Sequence, residues 1–345
     1  VDNVTTNPIV WACVTLIAGD ISKLWLRLVE RDANNIWTET ENPAYSPVLR
    51  KPNHYSTRIK FIEYWVLCKL LRGNSYILKS RDDRGVVDAM YPLDPSSTKV
   101  LISPSGAVFY QINADALSGV PDDVTIPARE IIHDVMVPLW HPLVGVSPIY
   151  AAGMAAVQGL RIQSNSSKLF LNGSNPGGVL TAPQPISEET AKRLQTYWEA
   201  NYAGSDNVGK IAVLGDGLKY EPMTMTAVDA QLVDQLKWAD ERVAACFHVP
   251  LWKIGLGPMP AYGNVQAANI EYYQTCLQAL IENIETLLDE GLKTGINLGT
   301  EFDLDALLRM DTQTQMDLVV KAVGGAVFTP NEGREIFSKK PKQGG

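Results

Sequence analysis

The chain has 345 residues, 46% of them hydrophobic and 20% charged, which makes it globular and long enough to divide into more than one module. Its 38 acidic residues outnumber 30 basic ones, and the formal charge of −8 disfavours tight static DNA binding while allowing a surface that DNA passes without sticking. The 4 scattered cysteines read as buried thiols, not disulfides or a zinc site, and no apolar run approaches the roughly 18 residues of a membrane span.

The opening "VDNVTTNPIVWACVTLIAGDIS" lacks a basic n-region and an initiator Met, and reads as a truncated or processed start, not a signal peptide. Asn7 suits an N-cap and Pro8 the first helical position, with Val10, Cys13/Val14, Ile17 and Ile21 at helical spacing. "LWLRLVERD" is a predicted strand. Ser56 is the expected cap of a second helix bearing Ile59, Ile62, Val66, Leu67 and Leu70 and ending at Arg72-Gly73. Two predicted hairpins follow, "NSYILKS" with "VVDAMYPL" and "TKVLIS" with "AVFYQI". Residues 7–145 are thus a mixed α+β module, in which an antiparallel sheet with helices on one face is expected.

Ser147-Pro148 then starts a helix predicted to run to about Leu171. Ala151, Ala152, Gly153, Ala155, Ala156 and Gly159 make its first half small-faced. Because glycine inside a helix costs about 1 kcal/mol relative to alanine, a close backbone neighbour is expected, either in the chain's own core or on the same helix of a neighbouring subunit. "FLNGSNPGGVLTAPQPIS" breaks that helix abruptly and opens a small βαβ-like unit: a strand in "GGVLTAP", a helix capped by Ser187, and a closing hairpin or strand pair in "KIAVLGDGLKYEPM". Glu188 and Glu189 lie in the first turn of that helix, where its dipole favours them. "AVDAQLVDQLKWADERVAACFHV" is the next helix, with Val228, Leu232, Leu236, Val243 and Phe247 near one stripe and Asp229, Asp234, Asp240 and Glu241 off it. "KIGLGPMPAYGN", rich in Gly and Pro, cannot be helix or interior strand, and composition alone makes it a helix–helix connection. A long helix follows, with Val265, Ala268, Tyr272, Leu280, Ile284, Leu287 and Leu288 in one register.

Signatures of enzyme chemistry are weak. Ser96-Ser97-Thr98-Lys99 has S-x-x-K spacing but sits in a turn without companion motifs. His54, His133, His141 and His248 show no metal-ligand spacing, and the chain has no Gly-rich Lys-Ser/Thr phosphate loop. His248, before Val249-Pro250, suits a helix end. No cofactor, metal or catalytic residue is expected.

Taken in order, "FLNGSNPGGVL", "GKIAVLGDGLKYEPM", "VAACFHVPLWKIG" and "LLRMD…FTPNEGREIF…PKQGG" resemble the portal proteins of tailed double-stranded-DNA bacteriophages across essentially the whole chain. The resemblance implies a multi-domain α+β portal fold: wing (1–145), first stem helix (146–172), small α/β clip (173–226), second stem helix (227–248), tunnel-loop region (249–264), long wing or crown helix (265–295) and a short C-terminal crown-like segment and tail (296–345). The chain departs from longer family members in its short C-terminus after residue 295, so a tall crown is not expected. The resemblance further implies a homo-oligomeric ring, twelve subunits in the virion, at one capsid vertex, assembled in the host bacterial cytoplasm. Double-stranded DNA would pass through it during packaging and ejection, without sequence-specific binding and with no membrane involved. The implied partners are the large terminase subunit, a head–tail adaptor, and the major capsid and scaffolding proteins.

On this resemblance the tunnel loop comprises Lys253, Leu256, Pro258, Met259, Pro260, Ala261, Tyr262 and Asn264. Asp229, Asp234, Asp240 and Glu241 are candidates for an acidic channel wall, or else the helix's solvated outer face. Glu188, Glu189, Lys192, Arg193, Tyr197 and Trp198 are candidates for motor or adaptor docking or for clip contacts between subunits, although Tyr197 and Trp198 also suit the clip's own core. The alternatives are another capsid or head–tail adaptor protein, or an enzyme whose residues converge only in space.

Overall fold

A computed structural model describes residues 4–121, 123–171, 179–181, 187–202, 219–221, 228–261, 264–304, 307, 312–337 and 339–343. The chain forms two compact units, a smaller one of residues 1–13 with 148–247 and a larger one of residues 14–147 with 248–345.

Asn7 caps α1 (Pro8–Ser22) as expected, its Oδ1 accepting from the N–H groups of Ile9 at 2.9 Å and Val10 at 3.2 Å. The strands β1 (Trp25–Arg31) and β2 (Trp37–Thr40) and the short α2 (Ser46–Arg50) precede α3 (Arg58–Arg72). The cap of α3 is Thr57, which accepts from the Lys60 N–H; the expected cap, Ser56, donates its hydroxyl to Asn53 Oδ1 at 2.7 Å instead. The helix ends where predicted, at Arg72, because Gly73 turns left-handed (φ 81°). Gly73 also permits a close crossing, since a Cβ there would lie 2.3 Å from the Gly145 carbonyl oxygen.

Both predicted hairpins form, β3 (Asn74–Arg81) with β4 (Val87–Leu93) and β5 (Thr98–Ile102) with β6 (Val108–Ile112). They do not join into the single sheet expected. β7 (Val124–Pro127) adds to β6 and β8 (Ile131–Val135) adds to β3, giving two antiparallel three-stranded sheets. The chain switches sheets through the one-turn 3-10 helix Ala128–Glu130, and apolar residues of both sheets, among them Tyr76, Leu78, Tyr110, Ile112 and Ile131, share one core.

In the smaller unit, α4 (Ile149–Leu171) reaches the predicted end, and β9 (Val179–Thr181), α5 (Glu188–Tyr202), β10 (Lys219–Glu221) and α6 (Val228–Cys246) follow. Ser187 accepts from the Thr190 N–H at 3.3 Å, the expected cap of α5. β9 and β10 pair antiparallel, so the unit is not βαβ in the parallel sense. Ala152, Ala156 and Gly159 form a buried stripe along α4 at i, i+4 and i+7. A Cβ on Gly159 would meet Ala239 and Asp240 of α6, so this part of the small face serves packing within the chain.

The chain is back in the larger unit from His248, where α7 (Val265–Tyr272), a π-turn at Tyr273–Leu277 and α8 (Gln278–Leu292) follow. One uninterrupted helix was expected here; the π-turn interrupts its register. β11 (Leu298–Asp303) then pairs with β1, so the first sheet is completed by residues some 270 positions away and reads β11-β1-β2. Two helices close the chain, α9 (Thr312–Gly324) and α10 (Pro330–Ile336), the latter started by a capping box of Thr329 and Glu332.

Buried polar contacts hold α8 in place. Asp134 of β8, fully buried, pairs with Lys69 Nζ of α3 at 2.6 Å and accepts from Trp65 Nε1 at 2.8 Å and Asn283 Nδ2 of α8 at 2.7 Å. Lys79 of β3 donates to the Gly291 carbonyl at 2.9 Å, and burial lowers its pKa to about 8. On the other side, Glu285 Oε1 accepts from the Phe302 N–H and Asp289 Oδ1 from the Thr300 N–H, each at 2.7 Å. Residues four apart on a helix rise about 6 Å and residues two apart on a strand about 6.8 Å, so the two carboxylates match alternate N–H groups on the outer edge of β11.

Removing the Asp134 carboxylate strands the Lys69 ammonium in the core, so Asp134→Ala should destabilise the larger unit by about 3–5 kcal/mol in urea unfolding. A loss under about 1 kcal/mol would show that Lys69 finds another outlet. Burial raises the Glu285 pKa to about 7, with Glu301, Asp289 and Glu282 adding repulsion. Native Glu285 therefore keeps a proton that the unfolded chain releases, and its contribution to stability falls as pH rises from the ordinary 4.5 to about 7. Glu285→Gln keeps the acceptor for Phe302; relative to wild type it should gain stability through that window and be more stable at pH 8, as unfolding midpoints across pH would register.

Candidate functional site

The connection from α6 to α7 is built from backbone constraints. His248 adopts φ 55° and terminates α6, in line with its expected place at a helix end. Pro250 leads into a one-turn 3-10 helix, Leu251–Ile254, so the segment is not wholly irregular as composition suggested. Gly255 (φ 78°) closes that turn, donating to the carbonyls of Leu251 and Trp252, and the Leu256 N–H returns to Leu251 at 3.0 Å. Beyond it, Leu256, Pro258 and Ala261 are exposed, Pro260 is half-buried, and Met259 is 73% exposed. The Asn264 N–H closes on the Ala261 carbonyl at 2.7 Å, and Tyr262 lies outside the described residues.

Lys253 differs from the rest of this segment. Its Nζ sits 4.9 Å from the ring centroids of both Trp252 and Tyr272. Burial lowers its pKa, while Asp20 raises it and Lys23 lowers it further.

On α6, Asp234 and Glu241 are exposed and seven residues apart, hence on one face. Lys237 and Arg242 flank them, Arg242 lying over the Trp238 ring at 4.1 Å, so the exposed face alternates in sign. Asp240 is half-buried toward Gly159 of α4, and that burial raises its pKa. The Asp229 side chain is outside the described residues.

On α5, Glu188, Glu189, Lys192 and Arg193 are exposed, with Glu188 pairing to Lys192 at 3.2 Å one turn on. Tyr197 is 59% exposed, and the Trp198 side chain is not among those described.

The enzyme-like features resolve into local structure. Asp94 accepts from the Ser96 N–H at 2.8 Å and hydroxyl at 2.7 Å, which holds its pKa low and fixes the S-x-x-K segment as a turn. His133 stacks on Tyr76 at 4.4 Å, bonds to Tyr110 and Asn74, and is pushed down to about 4 by burial, so it is a neutral core residue. Among the described residues no group of three or more His, Cys, Asp or Glu side chains could hold a metal, and no helix is long and apolar enough to cross a membrane.

Sequence reasoning missed the π-turn and the seat of Lys253. Neither leaves a local signature, because one depends on register inside a continuous helix and the other on a ring 19 residues away.

Comparison with known proteins agrees with the ordered motifs. Residues 8–337 match the family described as phage portal protein. The chain is 25% identical over 346 residues to the portal protein of Enterobacteria phage HK97, covering 97% of this chain and 79% of that one. It superposes on a chain from the neck of the native gene transfer agent particle, computed with twelvefold symmetry, at TM-score 0.65 and 21% identity, covering 98% of this chain and 91% of that one. It also superposes on an HK97-family phage portal protein from Corynebacterium diphtheriae at TM-score 0.64 and 16% identity, covering 90% of this chain and 96% of that one. These matches point to a structural protein and not to an enzyme. Because the family match runs through both compact units and the connection between α6 and α7, the chain belongs to the phage portal protein family.

Proposed function

We propose that the protein forms a ring at one capsid vertex, through which double-stranded DNA is packaged and later ejected. The observation that carries this reading is the whole-chain likeness to a subunit of a particle neck with twelvefold symmetry. Within it, residues 1–145 act as wing, α4 and α6 as stem helices, 173–226 as clip, 249–264 as tunnel-loop region, and the segments after 265 as the long helix and a short C-terminal region. The clip docks the large terminase subunit and later the head–tail adaptor, while the outer parts of the ring meet the major capsid and scaffolding proteins. The virion is the site of action, with assembly in the host bacterial cytoplasm.

The electrostatics support a channel that passes DNA without gripping it. The chain carries a formal charge of −8, and between Val249 and Asn264 its only charged residue is Lys253. Static affinity for a duplex comes mainly from phosphate neutralisation, which such a lining does not supply. Asp234 and Glu241 offset the phosphate attraction of Lys237 and Arg242 on the same face of α6.

Negative-stain images of the purified full chain should show rings with a central hole; monomers at every salt concentration would overturn the reading. In the same preparation, Glu188→Lys with Glu189→Lys should leave rings intact and lower retention of the large terminase subunit. Undiminished retention and packaging would remove the docking role of these two positions.

Replacing Asp229, Asp234 and Asp240 by Asn and Glu241 by Gln should make DNA stick and packaging stall, more strongly at low salt where screening is weak. Within the set, the change at Asp240, turned toward α4, should matter less than those at Asp234 and Glu241. Packaging at normal speed and salt dependence in the full set would end the repulsive-wall idea and leave the family assignment untouched.

A further inference from the structure

We infer that Lys253 is a positioning residue that anchors the tunnel loop to the body of its own subunit, and that the segment left to meet DNA is uncharged. The inference rests on reading residues 255–264 as the tunnel loop. By composition Lys253 is the obvious phosphate contact, being the one cation in the connection. Its surroundings give it another task.

The ammonium lies against two aromatic faces, Trp252 and Tyr272, each at 4.9 Å, and Asp20 of α1 bears on it electrostatically. One Asp20 oxygen pairs with Lys23 at 2.5 Å, while the other is buried without a hydrogen-bond partner among the described residues. A buried carboxylate oxygen of that kind favours a cation held nearby. The left-handed Gly255 follows two residues later, so the loop departs immediately beyond the anchor.

Tyr272, which provides the second face, is fully buried four residues before Cys276 and eight before Leu280, both buried as well, while Tyr273 beside it is only half-buried. Loop and helix are joined through one side chain, and Leu256, Pro258, Met259, Pro260 and Ala261 present only apolar or backbone groups beyond it.

The test uses the assembled full-length ring with Lys253→Met, Lys253→Arg, Tyr272→Phe and Tyr272→Leu. Amide exchange over residues 255–261 should rise about tenfold in Lys253→Met and Tyr272→Leu, with the Lys253→Met unfolding midpoint unchanged, because the opening is local. Lys253→Arg and Tyr272→Phe, which keep the cation and the ring, should restore wild-type exchange. The salt dependence of DNA retention should be the same in Lys253→Met as in wild type. If Lys253→Met leaves exchange unaltered and flattens the log–log salt slope by about 0.9 for each phosphate no longer neutralised, Lys253 touches DNA and the anchor is overturned. Rings that exchange as expected but do not pass DNA would overturn the proposed function and leave the anchor standing.

Discussion

The buried carboxylate of Asp134 is the constraint around which the larger unit is arranged. A charge with no access to water must be matched by donors, and its donors come from two other elements: Lys69 and Trp65 on α3, Asn283 on α8. A buried ion pair of this kind adds little net stability over an apolar core, but it admits few alternative arrangements once the partners are present. The three contacts together tie α3 and α8 to β8.

The same α8 closes the outer edge of the β11-β1-β2 sheet. An unpaired strand edge exposes N–H groups that recruit other chains, and Glu285 and Asp289 occupy two of them. Partial burial raises the pKa of both carboxyls, and neighbouring acids, Asp289 among them, add to the rise at Glu285. Toward its N-terminus α8 continues through the π-turn and α7 to the connection that holds Lys253. The helix that organises the core thus also bears the segment proposed to meet DNA, which ties the position of that segment to the most constrained part of the fold.

The smaller unit is built differently. α4 approaches α6 through Ala152, Ala156 and Gly159, small side chains that leave the backbones close and demand few specific contacts. Large apolar residues such as Tyr150 and Met154 remain on its exposed surface. Glu188, Glu189, Lys192 and Arg193 of α5 and Asp234, Lys237, Glu241 and Arg242 of α6 lie on exposed faces, where they can shape a potential without being needed for folding. That separation leaves the exposed charge free to vary while the small-residue seam keeps the helices together.

Sequence alone determined the elements whose signals are local. The Asn7 cap, the Arg72-Gly73 stop, both hairpins, the Ser147 to Leu171 helix, and the Gly- and Pro-rich connection were legible because caps, turn residues and apolar spacing act within a few positions. The ordered motifs likewise carried the family. The Thr329 and Glu332 capping box was equally legible, though only its surrounding motif was read. Tertiary structure decided what depends on partners distant in the chain. The sheet pairing of β1 with β11, the division of the hairpins between two sheets, and the choice of Thr57 over Ser56 each turned on contacts that no local window contains. The π-turn and the Lys253 seat belong to the same class: a helix's register, and the burial of a charge, are fixed by the surfaces that pack against them.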